Sequence, residues 1–281
     1  MLKTSFAVFV FIFSVLAGYY STPLFIDVFA KGQAVAKNFR GQDVPQGIGI
    51  MFAFYTLLWY AVFLPVTNLH SMHETSFEML IVMTAFFVVG FTGFIDDMLG
   101  SRDTLGFSGH FGALLSGRLT TGALKALAGL LAAFTASYFL SYGASEIILN
   151  TLIIALFTNL LNLLDLRPGR AIKFYIIIMA FYAISAAVSG DLAIFFIFLP
   201  LIGSVIGYFP FDLKARCMMG DAGSNVLGVS AGILTALHFD LPEKIAVLLI
   251  LIAIHIFAEK YSLSDIIARN RVLRFIDELG R

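Results

Sequence analysis

The feature that most constrains this chain is a succession of apolar runs, separated by segments that hold nearly all of its charge. A membrane-spanning helix needs about 20 mainly apolar residues, because the hydrocarbon core is ~30 Å thick and each helical residue rises ~1.5 Å. Such runs occupy residues 6–25, 48–69, 77–95, 119–140, 147–164, 172–188, 192–209, 225–238 and 245–257. They predict an all-α polytopic membrane protein with about nine transmembrane helices. The eighth run is short and Gly-rich, which implies a helix that is tilted, packed inside the bundle, or extended at its N-terminal end. The first run has Lys3 before it and the small residues Ala17 and Gly18 near its end, as a signal peptide would. Its apolar stretch exceeds the usual ~7–15 residues of a signal h-region, so a retained first helix is expected.

Composition agrees. The chain is 59% hydrophobic and 13% charged, whereas soluble domains run at about 45–50% and about 25%. Few ions can be accommodated where no water hydrates them, and the 30 Phe suit surfaces facing lipid. A formal net charge of zero gives no field for nucleic acid, so none is expected as a partner. One cysteine, Cys217, excludes an intramolecular disulfide and a multi-thiolate metal site.

The basic residues set an expected orientation. With the N-terminus outside, every one of the 18 Lys and Arg except Lys3 and Lys244 falls in inner segments, as the excess of Lys and Arg in cytoplasmic loops requires. The C-terminus is then cytoplasmic, and the expected localisation is the inner (cytoplasmic) membrane. The expected inner loops, 27–47, 96–118, 165–171 and 210–222, are longer than the outer ones, 68–76, 141–146, 189–191 and 239–244. Residues 1–281 read as one integral-membrane domain. Within it, 259–281 form an amphipathic tail, with Ile266, Ile267, Leu273 and Ile276 at helical spacing among Arg and Asp. Such a tail is expected on the anionic inner leaflet.

Polar residues gather at the inner ends of the runs. The third ends in Asp96-Asp97, the fifth carries Asn159 and Asn162 and stops at Asp165, and the eighth is introduced by Gly220-Asp221-Ala222-Gly223-Ser224. Asn159, Asn162 and Asp165 are each three apart and share a broad helical face. Asn in a membrane helix faces protein or water, so these residues either bond neighbouring helices or line a polar cleft. Carboxylates without a His or thiolate cluster suit a hard cation such as Mg²⁺. The Gly220–Ser224 segment puts flexible backbone at Gly223 and a hydroxyl at Ser224 on a helix N-terminus, where amides favour anions. Gly228 and Gly232 are a small-xxx-small pair, for which close helix packing is sufficient reason. Lys125, one turn into the fourth run, has two readings: a snorkelling side chain or a group reaching a phosphate.

Four segments together resemble the polyprenyl-phosphate N-acetylhexosamine-1-phosphate transferases. They are Asp96-Asp97-Met-Leu-Gly100, Asn159-Leu-Leu-Asn162-Leu-Leu-Asp165, Met219-Gly-Asp221-Ala-Gly-Ser224-Asn-Val-Leu-Gly228 and Arg40-Gly-Gln-Asp-Val-Pro45-Gln-Gly-Ile-Gly49. The resemblance covers roughly residues 35–235, with order and sidedness in agreement. It implies transfer of a sugar 1-phosphate from a UDP-sugar to undecaprenyl phosphate at the cytoplasmic face, releasing UMP with Mg²⁺ present. By position it implies Asp221 as metal ligand, and Asp96 or Asp97 as the group that deprotonates or orients the lipid phosphate. Arg40, Asn159, Asn162, Asp165, Gly223 and Ser224 would bind substrate, and Lys125 would neutralise phosphate. A homodimer is left open. The chain departs from the family at Leu166-Arg167-Pro168-Gly169, where Gly-x-Asp-Gly is usual, and lacks a His-rich cytoplasmic loop. These departures count against the muramoyl-pentapeptide branch.

Two other classes compete. One is a non-catalytic relative that binds polyprenyl phosphate or a nucleotide sugar. The other is a secondary transporter, which would place ionisable groups near mid-bilayer, whereas the middles of these runs are nearly free of charge.

Overall fold

A computed structural model describes the chain except residues 1, 70–72, 101–116 and 118. Arg102, Arg118 and the middle of the expected 96–118 loop therefore lie outside the described residues, as does the tip of the 68–76 loop. The described residues form long helices α1 (Leu2–Lys31), α2 (Ile50–Leu69), α3 (His73–Leu99), α4 (Thr121–Leu140), α5 (Ala144–Leu164), α6 (Arg170–Ser189), α7 (Phe195–Leu213), α8 (Gly220–His238) and α9 (Leu241–Lys260). Short helices α10 (Leu263–Arg269) and α11 (Arg271–Glu278) follow. Each predicted run falls on one long helix. Among the described residues, seven segments are long and apolar enough to cross a membrane, and the chain is a multi-pass membrane protein. The two long helices outside that seven are α2, whose apolar stretch is shorter, and α8.

The segment expected as the first inner loop, 27–47, contains regular structure. Helix α1 continues to Lys31, and a two-stranded antiparallel hairpin follows, β1 (Val35–Lys37) with β2 (Asp43–Pro45), in register Val35 to Pro45. Asn38 turns it: its Oδ1 accepts from the amides of Arg40 at 2.8 Å and Gln42 at 3.1 Å, and Gly41 takes φ +75°. Beyond β2 the backbone pairs with the segment ahead of α8. The Met218 amide donates to the Pro45 carbonyl at 2.8 Å, and the Gly49 amide to the Met219 carbonyl at 2.9 Å.

Helix α8 is the axis of the bundle. Every residue from Ala222 to Ala236 is buried, Ser224, Ser230 and Thr235 among them. The approach is close because glycines remove side chains at the crossings. A Cβ on Gly232 would stand 2.5 Å from Ile154 Cα of α5, and one on Gly93 of α3 would stand 2.6 Å from the Asp221 carbonyl carbon. The Gly228–Gly232 pair thus acts as the packing face the sequence implied, with α5 as its partner. Buried hydroxyls on these helices are satisfied, for example Thr235 Oγ1 with Tyr182 at 2.6 Å and Ser230 Oγ with Tyr175 at 3.0 Å. Polar residues here select neighbouring helices rather than lipid.

Alternation of direction brings the C-terminal ends of α1, α3, α5, α7 and α9 to one end of the bundle, with the N-terminal ends of α2, α4, α6 and α8. The candidate site residues expected from sequence lie at or near this end.

Candidate active site

Lys125 is set by the start of α4, where Thr120 Oγ1 caps the helix by accepting from the Ala123 amide at 3.1 Å. Its ammonium donates to Asp96 Oδ2 of α3 at 2.6 Å and to Asp221 Oδ2 of α8. All three side chains are only partly exposed. Asn162 of α5 completes the group: its Nδ2 donates to Asp221 Oδ1 at 2.7 Å, with Ser224 Oγ and Asn225 Oδ1 each at 3.4 Å. Four helices therefore contribute to one cluster in which a single lysine is shared by two carboxylates.

Asp97, next in sequence to Asp96, does different work. Its Oδ1 and Oδ2 accept from the Asp221 and Ala222 amides, each at 3.0 Å, and Oδ1 also accepts from Gln46 Nε2 at 2.9 Å. A carboxylate from α3 thus caps the N-terminus of α8, satisfying amides that no residue within that helix can reach. Gly220 has φ +72°, and a Cβ there would run into the Asp97 carboxylate. Only glycine allows the cap.

Beside the cluster is a cavity of about 160 Å³ lined by Phe39, Gln46, Asp97, Asp165, Arg167, Pro168, Asp212 and Asp221 among others. Asp165, at the C-terminal end of α5, is held well above the usual carboxylate range. Burial is the main cause, reinforced by the nearby charges of Asp212, Asp221 and Asp97. At the rim, the guanidinium carbons of Arg40 and Arg167 lie 5.0 Å and 5.1 Å from the centre of the Phe39 ring. Both cations are exposed, and each lies over the ring.

Of the residues expected from sequence, Asp96, Lys125, Asn162, Asp221 and Ser224 come together directly, and Asp97 and Asp165 adjoin them. Arg40 stands at the cavity rim region with Phe39. Gly223 is a contact point, since a Cβ there would stand 2.8 Å from Gly49 Cα. Asn159 is exposed and outside this hydrogen-bond network. Sequence reasoning missed Gln46, Phe39, Arg167 and Asp212. Asp212 is buried near the end of α7, accepting from the Gly169 amide at 2.6 Å and from Tyr208 Oη at 3.2 Å. A carboxylate at the end of an apolar run was its one available signal. The other three are fixed by pairings far apart in the chain.

Apart from the Lys125 ammonium and the Asn162 amide nitrogen, which both donate to Asp221, the cluster presents oxygen atoms. Among the described residues no three His, Cys, Asp or Glu side chains converge as a metal group. The two carboxylates still fit Mg²⁺, which commonly takes one or two carboxylates and completes its shell with water and phosphate.

The sequence model of glycosyl transferase family 4 matches residues 79–238, which run from α3 to the end of α8 and hold this whole cluster. The chain belongs to that family. Phospho-N-acetylmuramoyl-pentapeptide-transferase of Streptococcus pneumoniae (strain Hungary19A-6) is 36% identical over 95 residues, covering 34% of this chain and 28% of the relative. The protein of that name from Streptococcus thermophilus (strain CNRZ 1066) is 39% identical over 80 residues, 28% of this chain and 24% of the relative. The shared stretch therefore spans about a quarter of the length of these curated relatives.

Proposed function

We propose that the protein transfers a sugar 1-phosphate, from an N-acetylhexosamine-type UDP-sugar, to undecaprenyl phosphate at the cytoplasmic membrane face, in cell-envelope polysaccharide synthesis. A lipid phosphate oxygen forms a bond to the β-phosphorus of the donor. The bond from that phosphorus to the bridging oxygen breaks, and UMP leaves with the electron pair. The observation that carries this reading is the Asp96–Lys125–Asp221–Asn162 cluster, built at the ends of four helices beside a carboxylate-lined cavity. Phosphoryl transfer is mainly positioning and neutralisation of charge. Lys125 is the cation placed to receive phosphate oxygens, and Asp96 orients the incoming lipid phosphate. Because both Asp97 oxygens are taken up at the start of α8, the role on the lipid phosphate falls to Asp96 and that of Asp97 to holding Asp221. Asp221, with Asn162 fixing its carboxylate, would hold Mg²⁺, which would supply charge neutralisation on the diphosphate when bound. Arg40 and Asp165 belong to the donor side, Gly223 lets the first turn of α8 pack against Gly49, and Ser224 faces Asn162.

The test is UMP release by protein purified in detergent with undecaprenyl phosphate, a panel of UDP-sugars and Mg²⁺. Turnover with at least one UDP-N-acetylhexosamine is expected, lost with EDTA, restored by Mg²⁺, and absent in Asp221→Asn. Lipid binding without turnover of any donor would instead identify a non-catalytic relative.

A further inference from the structure

The segment joining α5 to α6 carries Asp165, Arg167 and Pro168 to the cavity, and it is held from two sides. On the inside, buried Asp212 accepts the Gly169 amide at 2.6 Å. On the outside stands the final segment of the chain. Arg170, 7% exposed, donates through Nε and Nη2 to the two oxygens of Asp277 at 2.8 Å and 3.1 Å. Its Nη1 donates to Ser264 Oγ of α10 at 2.9 Å. Arg281 makes a second two-point contact with Asp277, at 2.8 Å and 3.1 Å, and its Nε donates to the Pro168 carbonyl at 2.8 Å. Lys173 closes the end of α11 by donating to the carbonyls of Ile276 at 2.9 Å and Asp277 at 2.7 Å.

This network adds a docking contact to the amphipathic tail expected on the leaflet. Fork-to-fork guanidinium–carboxylate contacts fix direction as well as distance, and here one carboxylate receives two of them while buried. The cationic neighbours keep the Asp277 carboxyl below the usual carboxylate range despite its burial. Backbone fit supports the same docking. Gly169 has φ +73°, and its missing Cβ leaves room for Leu213, whose other methyl would lie 3.4 Å from a Cβ on Gly280. The clasp reaches Pro168 and Arg170, which flank Gly169, and Arg167 stands next to them against Phe39.

We propose that α11 and Arg281 are a clasp that positions the 165–170 segment, so that Asp277 and Arg281 are positioning residues for the cavity wall formed by Asp165 and Arg167. The Pro168 carbonyl is the point where the clasp grips. The structural part of this proposal is independent of the transfer reaction; its kinetic part rests on that reading.

The test uses the full chain with Arg281→Ala, which spares the Arg170–Asp277 pair, and Asp277→Asn, which weakens both pairs. Hydrogen exchange at the amides of Leu166, Arg167 and Gly169 is measured beside that of α8. The clasp requires faster exchange at those three amides in both variants with α8 unchanged. Steady-state transfer should show KM for the UDP-sugar raised about tenfold and kcat within about twofold, since displacements of about 1 Å in positioning groups cost up to ~100-fold. A purely structural tail would lower thermal stability and leave KM and exchange at 166–169 unchanged, which would overturn the proposal. Should Asp277→Asn fail to accumulate, Arg281→Ala decides alone. Should wild-type protein turn over no donor, the transfer reading falls, and exchange at 166–169 alone upholds or overturns the clasp.

Discussion

Replacing Asp97 by alanine separates the two kinds of work a carboxylate at this position can do. Its side chain takes the amides of Asp221 and Ala222, both at 3.0 Å, and Gln46 Nε2 at 2.9 Å. Truncation strands two amides in the first turn of α8, where each unmet donor costs about 1–3 kcal/mol, or roughly 2–6 kcal/mol together. Two effects oppose this. Removing Asp97 takes a negative charge away from Asp221, and the adjoining cavity of about 160 Å³ admits water to the freed amides. The net loss should be at the lower end, about 2–3 kcal/mol. At about 2–4 °C per kcal/mol for a chain of this size, Tm should fall by roughly 4–12 °C. The assay is the midpoint of thermal aggregation in detergent, followed by fluorescence-detected size exclusion. Asp96→Ala is the control: its partner Lys125 keeps Asp221, so a small change in Tm is expected alongside loss of transfer. An Asp97→Ala protein as stable as wild type would refute the reasoning, because it would mean that α8 does not depend on this cap.

Two further outcomes follow from the site. Asp165 is pushed up in the fold by burial and neighbouring carboxylates, so the folded state binds its proton more tightly than the unfolded chain does. Its effect is most stabilising below the ordinary Asp pKa of about 4 and is lost as pH rises through the higher folded value. Asp165→Asn should therefore raise Tm at pH 8 more than at pH 5 while reducing transfer, and equal shifts at both pH values would contradict this account. Lys125→Met should lower kcat by about 10²–10³, the usual effect of removing a preorganised charge from phosphoryl or acyl transfer sites. It should also lower Tm, because Asp96 and Asp221 would then face each other unneutralised; unchanged UMP release would refute the role of Lys125.

The bundle was largely legible because lipid imposes one rule on every span, and runs such as 147–164 and 245–257 obey it with few exceptions. Run 225–238 fell short of the observed Gly220–His238 because Gly220, Asp221, Gly223 and Ser224 look like a turn. They are helical only because Asp97 caps them from another helix and Gly49 and Gly93 let that first turn lie against α2 and α3. Within the site, the carboxylates and Asn162 were visible as polar residues at apolar helix ends. What spacing could not reveal were partnerships over long separations. The Gln46–Asp97 bond, the Arg167–Phe39 contact and the Arg170–Asp277 pair all join different segments. For the same reason the tail, read as lying on the leaflet, gave no hint that Asp277 faces inward while Val272, Phe275 and Leu279 face out.

Helix α8 raises a question of assembly. It carries Asp221 into the site, yet it is not among the helices apolar enough to enter a bilayer on their own account. Its glycines and hydroxyls, buried between α3 and α5, offer lipid little in exchange for leaving water. Insertion of this segment is then expected to depend on contacts with helices already in place, so that insertion and assembly of the candidate site become a single event. Substitutions at Gly93 or Ile154, which contribute no side chain to the Asp96–Lys125–Asp221–Asn162 cluster, are expected to surface as protein that never acquires its final topology.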